Sequence, residues 1–369
     1  LEAAGQDREA APGFGVEVFV VQVKRRGVAF PLPLIAAPQA EESLDPEGQL
    51  PARVYQAKYP FAAIKTTGAG VDYVSAANDA GCALGAALYR AHAVHGRVDG
   101  ANVRFTRVTT DSRAVEPGDL FVALAGERFD GHDFVAGAFG RGAAAALVAD
   151  GRGAFPGPVV AVPDPLAALG RLAADWRARF GPPLAVVVGS NGKTTVKEMI
   201  ASILRAAWGE GATLATAGNL NNAIGLPLTL LRLREGHRAA VIELGMNHRG
   251  ETRELAAIAR PTIVVVNNAQ REHQEFMASV AEVAAEHADA VAALPSGGVA
   301  VLNADDASCG VWRDAAVRAG AQVRTFGLRA AADVTARATL AADGTDLAIS
   351  TWAGDAAVRL AVPGEPMAR

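Results

Sequence analysis

Apolar and polar positions change rhythm along the chain. Up to about residue 92, short apolar runs such as Val16–Val21 are broken by Pro/Gly/Ala-rich pieces (Ala10–Gly15, Pro31–Pro38, Ala40–Pro51). No helical or strand period is sustained there. Residues 1–92 are therefore expected to be an irregular leader, with at most a strand at Val16–Val21 and a helix over Asp79–His92. From about Gly96 the pattern sharpens. Val103–Thr109 alternates like a strand, and Leu120–Leu124 is an apolar run after the Pro117-Gly118-Asp119 turn. Phe134–Arg141 reads as helix, and Ala144–Val148 and Val159–Val162 read as strands. Over Pro165–Arg179, Leu166, Leu169, Leu172 and Trp176 recur at helical spacing. Residues 93–181 thus predict a small α/β domain.

Pro182-Pro183 marks the next boundary, and residues 182–369 predict a second domain. Strands at Leu184–Val188, Ala239–Leu244, Thr262–Val266, Gly298–Asn303 and Gln322–Phe326 alternate with helices at Val196–Trp208, Gly250–Ala259, Ser279–Ala293 and Ser308–Ala319. Such alternation with short connections predicts an α/β fold with a doubly wound parallel sheet, whose ligands sit at the carboxyl ends of the strands. From Asp333 to Val362 the rhythm is β alternation with turns at Asp343-Gly344 and Gly354-Asp355.

Composition narrows the class. Of 369 residues, 50% are hydrophobic and only 6% aromatic, which suits α/β packing around Ala, Val and Leu. A net charge of −4 gives no footprint for nucleic acid. Cys82 and Cys309 lack metal-type spacing and read as isolated thiols of a reducing compartment. No apolar run approaches the roughly 20 residues of a membrane helix, and no secretory signal is evident. A cytoplasmic monomer without a membrane span is expected. The chain starts at Leu1 and its first methionine is Met199, so its ends are expected to be those of a fragment.

The chemistry gathers where the strands end. Val186-Val-Val-Gly189-Ser190-Asn191-Gly192-Lys193-Thr194-Thr195 runs from a β-branched strand through a glycine turn into a helix. Glycines let backbone N–H groups face phosphates at a helix N-terminus. Lys193 would reach the terminal phosphates, and the Thr194 hydroxyl would ligate Mg²⁺. The fuller P-loop pattern has a glycine where Val187-Val188 stands. Glu243 ends a buried strand opposite this loop, where a carboxylate suits Mg²⁺; a solvated strand-end glutamate is the plain alternative. Asn219-Leu-Asn-Asn222 packs three amides into four positions, which either meet ligand or cap a helix. His273 and Glu275 follow the strand end at Asn267-Asn268. Asn303-Ala-Asp-Asp306 ends another strand, where the two acids would also serve as caps.

In this order and spacing, these runs resemble the central ATPase domain of the Mur ligase family. Upstream, Thr110-Asp111-Ser112-Arg113, Pro117–Leu124 and Phe129-Asp-Gly-His-Asp-Phe134 resemble the family's N-terminal UDP-binding domain. Gly189–Met199 together with Glu243-Leu-Gly-Met-Asn247 is most similar to the D-alanyl-D-alanine-adding branch. The resemblance covers about residues 93–369. It implies ATP- and Mg²⁺-dependent amide synthesis through an acyl phosphate, from UDP-N-acetylmuramoyl-tripeptide and D-alanyl-D-alanine. It implies Lys193, Glu243 and His273 as catalytic residues. Thr194 and Glu243 would hold one Mg²⁺, with His273 at a second. Gly189 to Thr195, Asn268 and Asn303 would contact nucleotide, Asn303 at adenine. Thr110, Asp111, Ser112, Arg113, Asn219 and Asn222 would contact the UDP-linked substrate.

The sequence departs from the family pattern in two places. His287 stands where many members carry a lysine that becomes carbamylated. Pro366 stands at a histidine position near the entry to the third domain, so that domain is expected to be absent and this chain inactive in ligation. Rival expectations are a diaminopimelate- or lysine-adding Mur enzyme, a folylpolyglutamate synthetase, a P-loop kinase and a non-catalytic nucleotide-binding fragment.

Overall fold

The computed structural model describes residues 103–127, 129–271, 277, 279–341 and 343–360. It also describes the backbone of four short upstream strands: β1 (Ala62–Thr67), β2 (Gly70–Ser75), β3 (Cys82–Ala83) and β4 (Arg97–Asp99). β1 and β2 form an antiparallel pair from Ala62↔Ser75 to Thr67↔Gly70, within the leader expected to be irregular. The expected strand at Val16–Val21 lies outside the described residues, as does most of the expected helix at Asp79–His92.

The first α/β lobe is built on a five-stranded sheet. Its strands are β6 (Arg107–Thr109), β7 (Asp119–Val122), β8 (Ala145–Ala149), β9 (Val159–Val162) and β4, in the order β4-β9-β8-β7-β6. β6 to β9 pair in parallel and β4 joins β9 antiparallel. The expected strand Val103–Thr109 is interrupted at Thr106: its first half, β5 (Arg104–Phe105), pairs with β3 instead. Alternation along β7 and β8 sends side chains to two faces. Leu120, Val122 and Leu147 pack with Leu169 and Leu172 of α2 (Pro165–Arg177). Phe121, Ala146 and Val148 pack with Val135 and Ala138 of α1 (Val135–Gly140). Asp164 starts α2 by accepting the N–H groups of Leu166 and Ala167, with Pro165 in the first turn.

The second lobe holds a parallel sheet in which β11 (Thr213–Ala215), β12 (Ala239–Glu243), β10 (Leu184–Val188), β13 (Ile263–Val266) and β14 (Val299–Asn303) lie side by side in that order. Every residue of β10 and β12 is buried, as expected for central strands covered on both faces. On one face α3 (Lys193–Trp208) sets Val196, Ile200, Ala201 and Leu204 against Ala185, Val187, Val241 and Val265. On the other, α4 (Gly225–Leu230), α5 (Glu251–Ala259), α6 (Val280–Ala292) and α7 (Cys309–Ala319) cover Leu184, Val186, Ile242, Val264 and Leu302. Trp312 of α7 is fully buried there and donates from Nε1 to Ala284 O at 3.0 Å.

The expected boundary at Pro182-Pro183 is a change of sheet, and the described residues on both sides of it, from Val103 to Thr325, fall in one compact unit. Arg177, 5% exposed at the end of α2, donates to the carbonyls of Phe180 (2.6 Å), Ala259 (3.2 Å), Pro182 (3.3 Å) and Arg260 (3.4 Å). Trp176 Nε1 donates to Leu233 O at 3.1 Å. The last strands belong to a second compact unit, whose described residues begin at Phe326. There, β16 (Val334–Ala341), β17 (Gly344–Thr351) and β18 (Gly354–Leu360) form an antiparallel meander, and the end of β15 (Gln322–Gly327) pairs in parallel with β16 through Phe326↔Val334.

Candidate active site

The glycine loop after β10 is shaped by its neighbours. Gly189 has φ +146°, and a Cβ there would lie 2.9 Å from Asn267 Cβ. Gly192 has φ +75° and precedes α3; its Cβ would meet Asn267 Nδ2 at 2.9 Å. Both positions therefore require glycine for backbone conformation and for space. The loop is fastened to β13's end. Ser190 N donates to Asn268 O (3.0 Å), Asn191 N to Asn268 Oδ1 (2.9 Å), and Asn267 Nδ2 to Asn191 O (2.7 Å). Ser190 Oγ accepts Gln270 N at 2.8 Å. Lys193 Nζ donates to Gly189 O (2.6 Å) and Ser190 O (3.3 Å), so the ammonium lies across the loop. Thr194 and Thr195 are exposed at the start of a 16-residue helix, whose free N–H groups and dipole favour an anion.

Glu243 ends β12 in register with Val187, two residues before Gly189. It is 2% exposed. Its N–H donates to Thr216 Oγ1 (3.0 Å) and its Oε1 accepts Asn221 Nδ2 (2.8 Å). Oε2 is buried and has no hydrogen-bond partner among the described residues. A buried carboxylate oxygen without a protein partner is uncommon and is an acceptor open to a water or a cation. No group of three or more His, Cys, Asp or Glu suited to a metal occurs among the described residues. A single protein carboxylate suits Mg²⁺, which takes one or two carboxylates together with phosphate oxygens and water, rather than a protein-caged metal. His273 and Glu275 lie outside the described residues.

Other expected site residues have their amides engaged in the fold. Asn222 Oδ1 accepts the N–H groups of Ile224 (3.1 Å) and Gly225 (2.9 Å), so it holds the turn that leads into α4. Asn219 is exposed in the preceding loop. The amide that reaches Glu243 belongs to Asn221, which the sequence reading passed over; its main-chain oxygen also accepts Gly245 N at 2.8 Å. Three amides in four positions were the only signal, and it did not discriminate between them. Asn303, 9% exposed, donates to Asn267 O (2.8 Å) and accepts Asp305 N (2.9 Å). Its amide braces β14 against β13. Asp306 accepts Ala269 N and Ser308 N, both at 2.8 Å. Lys197 was also unassigned; it is fully buried one helical turn past Lys193.

In the first lobe, Thr110, Asp111, Ser112 and Arg113 follow the carboxyl end of β6. Asp111 accepts Arg113 N (2.9 Å), Nε (2.9 Å) and Nη2 (2.8 Å). The Arg113 side chain, and then its backbone N–H, hold the Asp111 carboxyl down to about 2. Ser112 opens a single 3₁₀ turn, Ser112–Ala114. At the next strand end, His132 Nδ1 lies 2.5 Å from Asp130 Oδ1, and its Nε2 accepts Ala149 N at 2.8 Å. The imidazole thus carries its proton on Nδ1. Asp130 also pairs with Arg152 at 2.7 Å. A cavity of about 290 Å³ opens beside this cluster, lined by Ala149, Arg152, Phe155 and Gly157 among others.

Comparison with known proteins adds the family. The Mur ligase middle domain matches residues 187–368, and the Mur ligase family catalytic domain matches residues 104–177. The chain belongs to the Mur ligase family. Among its relatives, the UDP-N-acetylmuramoyl-tripeptide–D-alanyl-D-alanine ligase of Escherichia coli K12 is 41% identical over 273 residues, covering 73% of this chain and 59% of that protein. The Bacillus subtilis 168 ligase of the same name is 38% identical over 204 residues, covering 54% and 43%. A crystal structure of MurF from Acinetobacter baumannii matches with a TM-score of 0.69 at 33% identity, over 76% of this chain and 61% of that one. MurF from Thermotoga maritima in complex with ADP matches with a TM-score of 0.61 at 27% identity, over 69% and 57%. This Mur ligase chain therefore spans less than two thirds of the length of each of these relatives. Among its described residues no helix is long and apolar enough to cross a membrane.

Proposed function

We propose that this chain carries the UDP-precursor and ATP sites of a Mur ligase that joins D-alanyl-D-alanine to UDP-N-acetylmuramoyl-tripeptide in the cytoplasm. The observation that carries the reading is the buried, unpartnered Oε2 of Glu243 beside the Gly189–Thr195 loop. ATP would lay its phosphates on the loop and the N-terminus of α3. Lys193 would turn from Gly189 O and Ser190 O to the terminal phosphates. The donor set fits Mg²⁺: the free Glu243 oxygen and the exposed Thr194 hydroxyl would hold it, with phosphate and water completing the shell. Bound there, Mg²⁺ supplies neutralisation of the phosphate charge. The E. coli relative's name gives the substrates, and the ADP bound to the Thermotoga relative agrees with a nucleotide at this loop.

The chemistry then runs in two steps. A carboxylate oxygen of the tripeptide forms a bond to the γ-phosphorus, and the bond from that phosphorus to the bridging oxygen of ADP breaks. The amine of D-alanyl-D-alanine next attacks the acyl carbon; inorganic phosphate departs and the amine loses its proton. Acyl phosphate formation turns an oxide into a good leaving group. Lys193 and the helix N-terminus bear the charge that develops on the transferring group.

Phosphate release in the presence of UDP-N-acetylmuramoyl-tripeptide, ATP and Mg²⁺ tests this reading when the amine is varied. Binding of ATP with Mg²⁺ and of the UDP-linked tripeptide is expected of this chain, with little or no ligated product, and any release that does occur should depend on D-alanyl-D-alanine. If, with UDP-N-acetylmuramoyl-dipeptide supplied, turnover instead follows diaminopimelate or lysine, the chain belongs to another branch.

A further inference from the structure

Lys197 is the one lysine among the largest fully buried side chains, at 0% exposure. Burying an ammonium costs several kcal/mol unless acceptors compensate. Lys197 finds two: the Glu198 carboxylate and the carbonyl oxygen of Thr216, at 2.9 Å. Thr216 is itself 1% exposed. Its N–H donates to Val241 O at 3.1 Å, and its hydroxyl accepts Glu243 N at 3.0 Å. Thr216 is thus a junction between the loop's own helix and the strand that ends in Glu243. Residues 216–222 leave this junction and return Asn221 to Glu243 Oε1 at 2.8 Å.

We propose that Lys197 is a positioning residue, which acts through Thr216 and fixes Glu243 relative to the glycine loop. The lysine sits one helical turn after Lys193 on α3. Its bond to Thr216 therefore ties the helix bearing Lys193 and Thr194 to the end of β12. Without it, the Thr216 carbonyl loses its donor in a dry site, and the Glu243 N–H loses a fixed acceptor. The carboxylate would then be free to drift from its place beside the glycine loop. Partners in this outer layer orient a cation's direct ligands.

This assignment rests on the ATP–Mg²⁺ reading given above, and the test separates the two. ATP affinity of the full chain is measured by calorimetry with and without Mg²⁺ for the parent, Lys197→Met, Thr216→Val and Thr216→Ser. Methionine keeps the length and apolar stem of lysine and removes the charge and donors. The Mg²⁺-dependent gain in affinity is expected to fall about tenfold or more in Lys197→Met, while affinity for ATP without Mg²⁺ stays near the parent's. Thr216→Val should reproduce the loss, and Thr216→Ser, which keeps the hydroxyl, should restore the gain. A folded Lys197→Met chain with the parent's full Mg²⁺ gain overturns the assignment and leaves the ligase reading standing. Should Lys197→Met fail to fold, the Thr216 pair decides: an undiminished gain in Thr216→Val overturns the assignment. Absence of any Mg²⁺-dependent gain in the parent would count against the ATP–Mg²⁺ site itself.

Discussion

Asp111 and Arg113 show how much a single side chain's role depends on its neighbours. The two lie side by side after β6, joined by three hydrogen bonds. Asp111 is held near 2, below the 3.8 of a free carboxyl. The sign follows. The contribution to stability is present in full above the unfolded value and disappears as the pH falls through about 2. Because the pair is exposed to water, that contribution is small. In an NMR titration the Asp111 carboxyl should show a midpoint near 2; in Arg113→Ala it should move up toward the ordinary carboxylate range. An unchanged midpoint would show that Arg113 is not the cause. At this scale the sequence was a partial guide. Glu243 stands at its strand end, and Lys193 and Thr194 at the start of the helix after the glycine turn, where the pattern predicts them. Asn221 and Asn222 could not be told apart, because which amide turns toward Glu243 depends on the path of the chain into α4.

At the scale of elements, the glycine loop is legible because strand, turn and helix each have their own signature. The missing glycine at Val187 is explained by burial: Val187 is a fully buried β10 residue packed under α3. Gly189 carries the close approach instead. Gly189→Ala combines a φ of +146° with a Cβ 2.9 Å from Asn267. It should cost about 1–3 kcal/mol in strain and displace the loop from Asn267 and Asn268. Denaturant unfolding and ATP binding should both weaken; unchanged values in both would refute the tight-loop account. β11 and α4 escaped the sequence reading for a common reason. Three residues of strand and six of helix are too short to establish a period, and α4 begins at Gly225, just past the asparagine run, with Pro227 inside it. Conversely, β10, β12 and β13 were legible because strands covered on both faces are continuous apolar runs.

Across the whole chain, the sequence pointed to two sheets but not to how α2 joins them. That junction depends on Arg177, which looks from sequence like any charged residue at a helix end. Buried, it serves four carbonyls from α2's exit, the Pro182 turn and the end of α5. Arg177→Ala would strand those acceptors and should destabilise the chain by about 3 kcal/mol. Calorimetry should then show the first lobe melting apart from the second, whereas the parent melts them together. A single transition at the parent's temperature would mean the junction is held by packing of Trp176 and the apolar face alone.

The central claim is that the strand ends of the second lobe form an ATP–Mg²⁺ site centred on the glycine loop, Lys193 and Glu243. Calorimetric titration of ATP and AMP into the parent and Lys193→Ala, each with Mg²⁺, tests it most directly. The account predicts that removing the ammonium weakens ATP much more than AMP, because Lys193 meets the terminal phosphates. Equal ATP affinity for Lys193→Ala and the parent would contradict it.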